Sequence, residues 1–153
     1  MMTREQLKEH LISIYAETEF EEDGELLSAI IPSKQLHKVA EELKGDEKTQ
    51  FNYLFCLTGV DFPEYMQVVY HLKSTELDHS LVIKAKIENR EDPHVESVYD
   101  LWKTADFHER EVFDLFGIIF DNHPDLRRIF LEDDWVGYPL RKDYVDEINI
   151  VEL

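Results

Sequence analysis

Three runs with the two-residue period of a β-strand crowd the middle of the chain: Phe51–Val60, Met66–Leu72 and Ser80–Glu88. They are rich in β-branched and aromatic residues and are bounded by turn formers. Val68, Tyr70 and Leu72 fall on one face of the second run, and Leu81, Ile83, Ala85 and Ile87 on one face of the third. The connections, Asp61 to Glu64 and Ser74 to His79, are too short for a crossover, so the runs pair as antiparallel neighbours. Such a sheet has one apolar face, and that face has to be covered.

The cover is legible upstream. Thr3-Arg4-Glu5-Gln6 reads as a capping box opening a helix to about Glu17, with Leu7, Leu11, Ile14 and Tyr15 as its apolar stripe. Acidic Glu17 to Gly24 reads as a turn, and Leu26 to Ile31 as a short strand stopped by Pro32. Ser33 is placed to cap a second helix carrying Leu36, Val39, Ala40 and Leu43, ended by Gly45. Past Pro93, the composition of Ala105–Phe116 is helical and Gly117 closes it. The expectation is a single α+β domain over 1–153. A two-layer core over 1–117 has a mixed β-sheet covered by the N-terminal helices, and after the Ala105–Phe116 helix comes a long irregular tail over 118–153.

Several function classes drop out. The chain carries 34 acidic residues against 16 Lys and Arg, for a net charge of −18. That field repels phosphate backbones and anionic headgroups, so nucleic acid and direct membrane insertion are not its partners. The charge serves either solubility or complementarity to a basic protein surface. No run of roughly 18 apolar residues spans a membrane, and Met1 to His10 lacks a secretory pattern. Cys56 stands alone in an apolar run, as a small buried hydrophobe, and cannot form an intrachain disulfide or a thiolate cluster site. The five glycines are too scattered for a phosphate-cradling loop, and no serine sits in G-x-S-x-G.

The last third holds the anomalies. A helical wheel places Ala105, Val112, Leu115 and Phe116 on one side with Glu109 in their midst, while Arg110, Glu111, Asp114 and Phe107 face away. A buried carboxylate needs a cation or must take a proton. Arg127, Arg128 and Arg141 are the available forks, which predicts a tail folded back on the helix through Glu109 and Asp114. A catalytic reading competes, with Glu109, Glu111 and His123 serving a carboxylate- or metal-dependent hydrolase. His94, His108 and His123 would need gathering to hold a metal, and the spacing favours ordinary hydrogen-bonded histidines. Phe107, Trp135 and Tyr144 sit where either core packing or an interface would use them.

Three blocks in order carry a resemblance: Glu109-Arg110-Glu111-Val112-Phe113-Asp114-Leu115-Phe116-Gly117-Ile118, His123-Pro124-Asp125-Leu126-Arg127-Arg128-Ile129 and Pro139-Leu140-Arg141-Lys142-Asp143-Tyr144. Together with Leu57-Thr58-Gly59-Val60-Asp61 and Val69-Tyr70-His71-Leu72, they resemble the C-subunit family of NADH-quinone oxidoreductase, respiratory complex I. The resemblance implies a non-catalytic peripheral-arm protein that packs chiefly against the large D subunit among the other arm subunits. It implies a place on the cytoplasmic side of the bacterial inner membrane. It also implies no cofactor on this chain, NADH, FMN, iron–sulfur clusters and quinone being used elsewhere in the complex. The matching residues, with Trp135, then become structural and interface elements. Membrane-bound hydrogenases and related dehydrogenases have equivalent subunits, which the blocks do not separate. Relatives often run on well past the last block, whereas nine residues follow Tyr144 here, so a shorter interface is expected there. Ala105-Asp106-Phe107 stands where relatives often have Asn and Trp.

Overall fold

The structure, a computed structural model, describes residues 1–146. Helix α1 covers Arg4–Ile14, and its capping box forms as the sequence predicts, Gln6 N–H donating to Thr3 Oγ1 and Thr3 N–H to the Gln6 side chain. It stops short of Glu17 because Tyr15 turns extended. The acidic turn contains a short strand, β1 (Glu19–Glu21), antiparallel to β2 (Ser28–Pro32). Ser33 caps nothing. It opens a 3-10 turn that leads into α2 (Leu36–Gly45), so the first turn is tightened through the backbone instead.

Strands β3 (Tyr53–Asp61), β4 (Met66–Ser74) and β5 (His79–Ile87) form the expected antiparallel set. β5 pairs in parallel with β2, giving a mixed sheet in the order β1-β2-β5-β4-β3. The inner face of this sheet, including Leu57, Val68, Tyr70 and Ile83, is buried in one core with Leu7 and Leu11 of α1 and Leu36, Val39 and Leu43 of α2.

A bulge after Leu54 leaves Phe55 unpaired and puts Cys56 opposite His71. That shift corrects the reading of Cys56, which is half-buried and not a core residue. Trp102 ties the chain after β6 (His94–Glu96) to the segment leading into β3 by donating from Nε1 to the Phe51 carbonyl at 3.0 Å. Helix α3 (Ala105–Phe116) has the predicted ends, with Gly117 in the left-handed cap at φ 75°. It adds a third element to the cover, with Val112 and Phe116 against Gly59. The tail is not wholly irregular, since β7 (Ile119–Asp121) pairs in parallel with β6. The predicted tail residues from 147 to 153 lie outside the described residues.

Candidate functional site

The wheel is right about the core side of α3 and wrong about the opposite side. Arg110 and Asp114 are buried, because the chain beyond His123 returns across that face. Asp114 is the centre of the return. Its Oδ1 accepts from Arg128 Nη1 at 2.9 Å, and its Oδ2 accepts the backbone N–H groups of Ile129, Phe130 and Leu131 at 3.2, 2.7 and 3.0 Å. Burial alone would push this carboxyl up. The N–H groups of Leu131 and Phe130, the Arg128 guanidinium and the Ile129 N–H outweigh it and hold the group below the usual carboxylate range.

Arg128 also donates to the carbonyls of Asp114, Trp135 and Gly137, at 2.9, 3.2 and 3.0 Å. Arg110 grips the carbonyls of Arg127 and Arg128, both at 3.2 Å. The predicted fold-back therefore forms through Asp114 and Arg128. The Arg127 side chain takes no part and sits exposed beside Asp125 at 2.8 Å.

A second clasp closes over the helix end. Arg141 donates to the Phe116 carbonyl, and Leu140 N–H to the Leu115 carbonyl at 2.9 Å. The guanidinium groups of Arg128 and Arg141 both lie over the Tyr138 ring, 5.0 and 5.2 Å from its centroid. Lys142 N–H then reaches Asp61 Oδ2 at 2.9 Å, and Arg90 Nη2 lies 2.7 Å from both oxygens of the same carboxylate. Arg90, Asp61 and Tyr138 escape a reading by local pattern because their partners lie 29 or more residues away or on a loop. Asp61 does stand in a matched block. Tyr144 packs on Gly137, which is left-handed at φ 88°.

Glu109 corrects the prediction of an arginine partner. It is 0% exposed and accepts from Ser97 Oγ at 2.5 Å and Val98 N–H at 3.1 Å, and among the described residues no cation pairs with it. Burial first, opposed by those two donors and aided by Asp106 and Asp100, pushes its carboxyl to about 7. The Tyr70 hydroxyl, also buried, has no hydrogen-bond partner among the described residues.

The hydrolase arrangement does not assemble. Glu109 is out of reach of a substrate, Glu111 lines a different surface beside Leu57 and Gly59, and His123 is taken up by its neighbours. His123 Nε2 faces the Asp106 carbonyl oxygen and carboxylate at 3.2 and 3.1 Å, and Nδ1 accepts from Asp125 N–H. His94 stands between Asp92 and Asp121 at 2.9 and 2.8 Å. Among the described residues no three His, Cys, Asp or Glu side chains could hold a metal ion.

What the two clasps present outward is apolar with an acidic fringe. Phe107, Phe130, Val136 and Leu140 are more than half exposed, Trp135 is 36% exposed, and Glu132, Asp133 and Asp134 lie among them. The aromatic residues thus divide, with Trp102 and Phe120 in the core and Phe107 and Phe130 at the surface.

Residues 29–148 match the family model described as respiratory-chain NADH dehydrogenase, 30 kDa subunit. The chain is 49% identical over 120 residues to the NADH-quinone oxidoreductase C/D subunit of Phocaeicola vulgatus, covering 78% of this chain and 23% of that protein. It is 41% identical over 138 residues to the NADH-quinone oxidoreductase C subunit of Moorella thermoacetica, covering 89% and 91%. The chain thus spans under a quarter of the C/D relative but nearly all of this smaller one. Among solved structures it is similar to a chain of the membrane-bound sulfane sulfur reductase, an archaeal respiratory membrane complex, with a TM-score of 0.77, 25% identity, and 94% and 86% of the two chains covered. No helix among the described residues is long and apolar enough to cross a membrane.

Proposed function

The chain belongs to the family of the 30 kDa subunit of respiratory-chain NADH dehydrogenase, and from that premise we propose that it is a non-catalytic peripheral-arm subunit of a proton-pumping NADH:quinone oxidoreductase. In this reading it packs chiefly against the large D subunit on the cytoplasmic side of the bacterial inner membrane. NADH, FMN, iron–sulfur clusters and quinone belong to its neighbours.

One observation carries the choice of partner. In the relative from Phocaeicola vulgatus, the matched stretch belongs to a polypeptide whose name joins the letters C and D. A shared chain holds two modules at millimolar effective concentration, which favours modules that act in contact. The surface chemistry supports the same reading. Asp114, Arg128 and Arg141 fix the tail on α3, so the exposed apolar side chains of Phe130, Trp135 and Leu140 sit on backbone already ordered, and binding through them orders little new chain. The matched residues from Glu109 to Tyr144 serve that scaffold: Glu109, Arg110, Asp114, Gly117, His123, Arg128 and Arg141 hold the backbone, and Leu140 and Trp135 face out.

A second reading is favoured by the sulfane sulfur reductase chain, whose fold this one shares. The same scaffold would then serve a related membrane complex with another electron donor or acceptor, such as a membrane-bound hydrogenase. Affinity purification of the tagged chain from detergent-solubilised membranes separates the two. The expected result is a D-type large subunit in the eluate together with NADH-dependent quinone reduction. Hydrogen- or sulfur-linked turnover without NADH oxidation moves the chain to the second reading. Recovery of the chain alone, with no other polypeptide, overturns the subunit role.

A further inference from the structure

β3 ends the five-stranded sheet, and among the described residues no strand pairs with its outer edge. Both ends of that edge are fastened. Thr104 Oγ1 donates to the Leu54 carbonyl at 3.0 Å, and Lys142 N–H binds Asp61 at 2.9 Å. Between them Cys56 to Val60 stay open. The protections this edge does carry sit at its ends, a bulge at Phe55 and the buried Asp61, and the stretch from Cys56 to Val60 has neither. β3 has nine residues, no proline and no lysine, and carries Tyr53 and Phe55 partly exposed. The opposite edge is blunted, since β1 has three residues, two of them glutamates.

A cavity of about 220 Å³ runs beside this open edge, between β3 and α3. Leu57, Thr58 and Gly59 line its β3 side, with the Phe116 ring packed so closely on Gly59 that a Cβ there would lie 2.8 Å from it, and Val112, Leu115 and Leu140 are its apolar walls. Glu111 stands at the rim, half-buried, and among the described residues no cation pairs with it.

We propose that the β3 edge is a strand-addition site, at which an extended segment of a partner polypeptide pairs with Cys56 to Val60, sets an apolar side chain into the cavity between β3 and α3 and brings a Lys or Arg to Glu111. Three features select that occupant. An open row of strand N–H and C=O groups is complementary to another extended backbone. Alternate residues of an added strand point to the same face, so one of them meets the cavity. The lone carboxylate on a chain of net charge −18 calls for a cationic neighbour. The site shares Leu140 with the exposed apolar residues of the tail and leans on the subunit role only for a partner being present.

The test places a photo-cross-linking amino acid at Thr58, which is exposed on the open edge, in the full chain within its own cells. The adduct is purified from membranes and its cross-linked peptide sequenced. The proposal expects a segment of another polypeptide with alternating apolar residues and a Lys or Arg, and at least a tenfold loss of adduct in Glu111→Lys with unchanged Tm. An adduct to a second copy of this chain, an adduct to its own residues 147–153, an adduct indifferent to Glu111→Lys, or no adduct overturns it. The two readings fail separately. A captured polypeptide foreign to any respiratory complex removes the subunit role and leaves strand addition standing, whereas a D-type large subunit that co-purifies while Thr58 captures nothing does the reverse.

Discussion

Asp114 and Arg128 face each other at 2.9 Å with side chains 0% and 11% exposed, and this pair decides where the tail lies. Each member is fully occupied. The carboxylate takes three backbone N–H groups besides the guanidinium, and the guanidinium takes three carbonyls besides the carboxylate. The ion pair is thus the knot of a network that gives irregular backbone the hydrogen bonds a helix or strand would otherwise supply.

Removing Arg128 leaves a buried carboxylate and three orphaned carbonyls. Arg128→Ala is expected to lower unfolding stability by about 3–5 kcal/mol, the cost of stranding one partner of a buried pair. Urea unfolding measures it, with Arg127→Ala as the control, since Arg127 is exposed and its loss should not shift the midpoint. Equal effects of the two substitutions would remove the network from this account. Asp114 also has a pH signature. Its folded carboxyl lies below the ordinary value, so its stabilisation is present above the unfolded carboxylate pKa and is lost as pH falls through the folded one.

Gly117 is the hinge between helix and tail. Its φ of 75° suits glycine, and a Cβ would lie 2.6 Å from the Tyr138 ring and 2.9 Å from Arg141 Nη2. Gly117→Ala therefore combines about 1–2 kcal/mol of left-handed strain with displacement of the Tyr138 stack. The expected outcome is a lower Tm and faster limited proteolysis within 118–146, with the 1–117 core still protected. Unaltered cleavage of the tail would show that the stack does not hold it.

How far the sequence could be read follows the range of the interactions. The capping box at Thr3, the ends of α3 and the three central strands rest on residues within a few positions of one another, and each appears where the sequence put it. The parallel pairing of β2 with β5 joins residues about 54 positions apart, and no local period encodes it. The same holds for β6 with β7. The wheel sorted Arg110 and Asp114 as solvent-facing because it knows one neighbour, the core, and α3 has two. Arginine as the fastening of the tail was legible from charge placement. The actual partners of Glu109 were not, because hydroxyl and backbone donors leave no mark that a charge count detects.

Glu109 makes the strongest claim about pH. Burial, opposed by the Ser97 hydroxyl and the Val98 N–H, raises its carboxyl from 4.5 to about 7. The folded state therefore binds a proton that the unfolded chain has already released across the window between those values. Stability from the protonated carboxyl is fully present below about 4.5 and is lost as pH rises through about 7, a decline of about 3 kcal/mol once complete. Glu109→Gln keeps the shape and cannot ionise, so its stability should lack that decline and exceed the parent's at pH 8. His94 sits near two aspartates that raise its pKa, and it contributes a decline in the same direction. The comparison is therefore made on the difference between parent and variant, in which His94 cancels. Unfolding free energies of both chains between pH 5 and pH 8 settle the matter: a gap that widens toward high pH is expected, and parallel curves would mean that Glu109 is ionised throughout and that its two donors outweigh its burial.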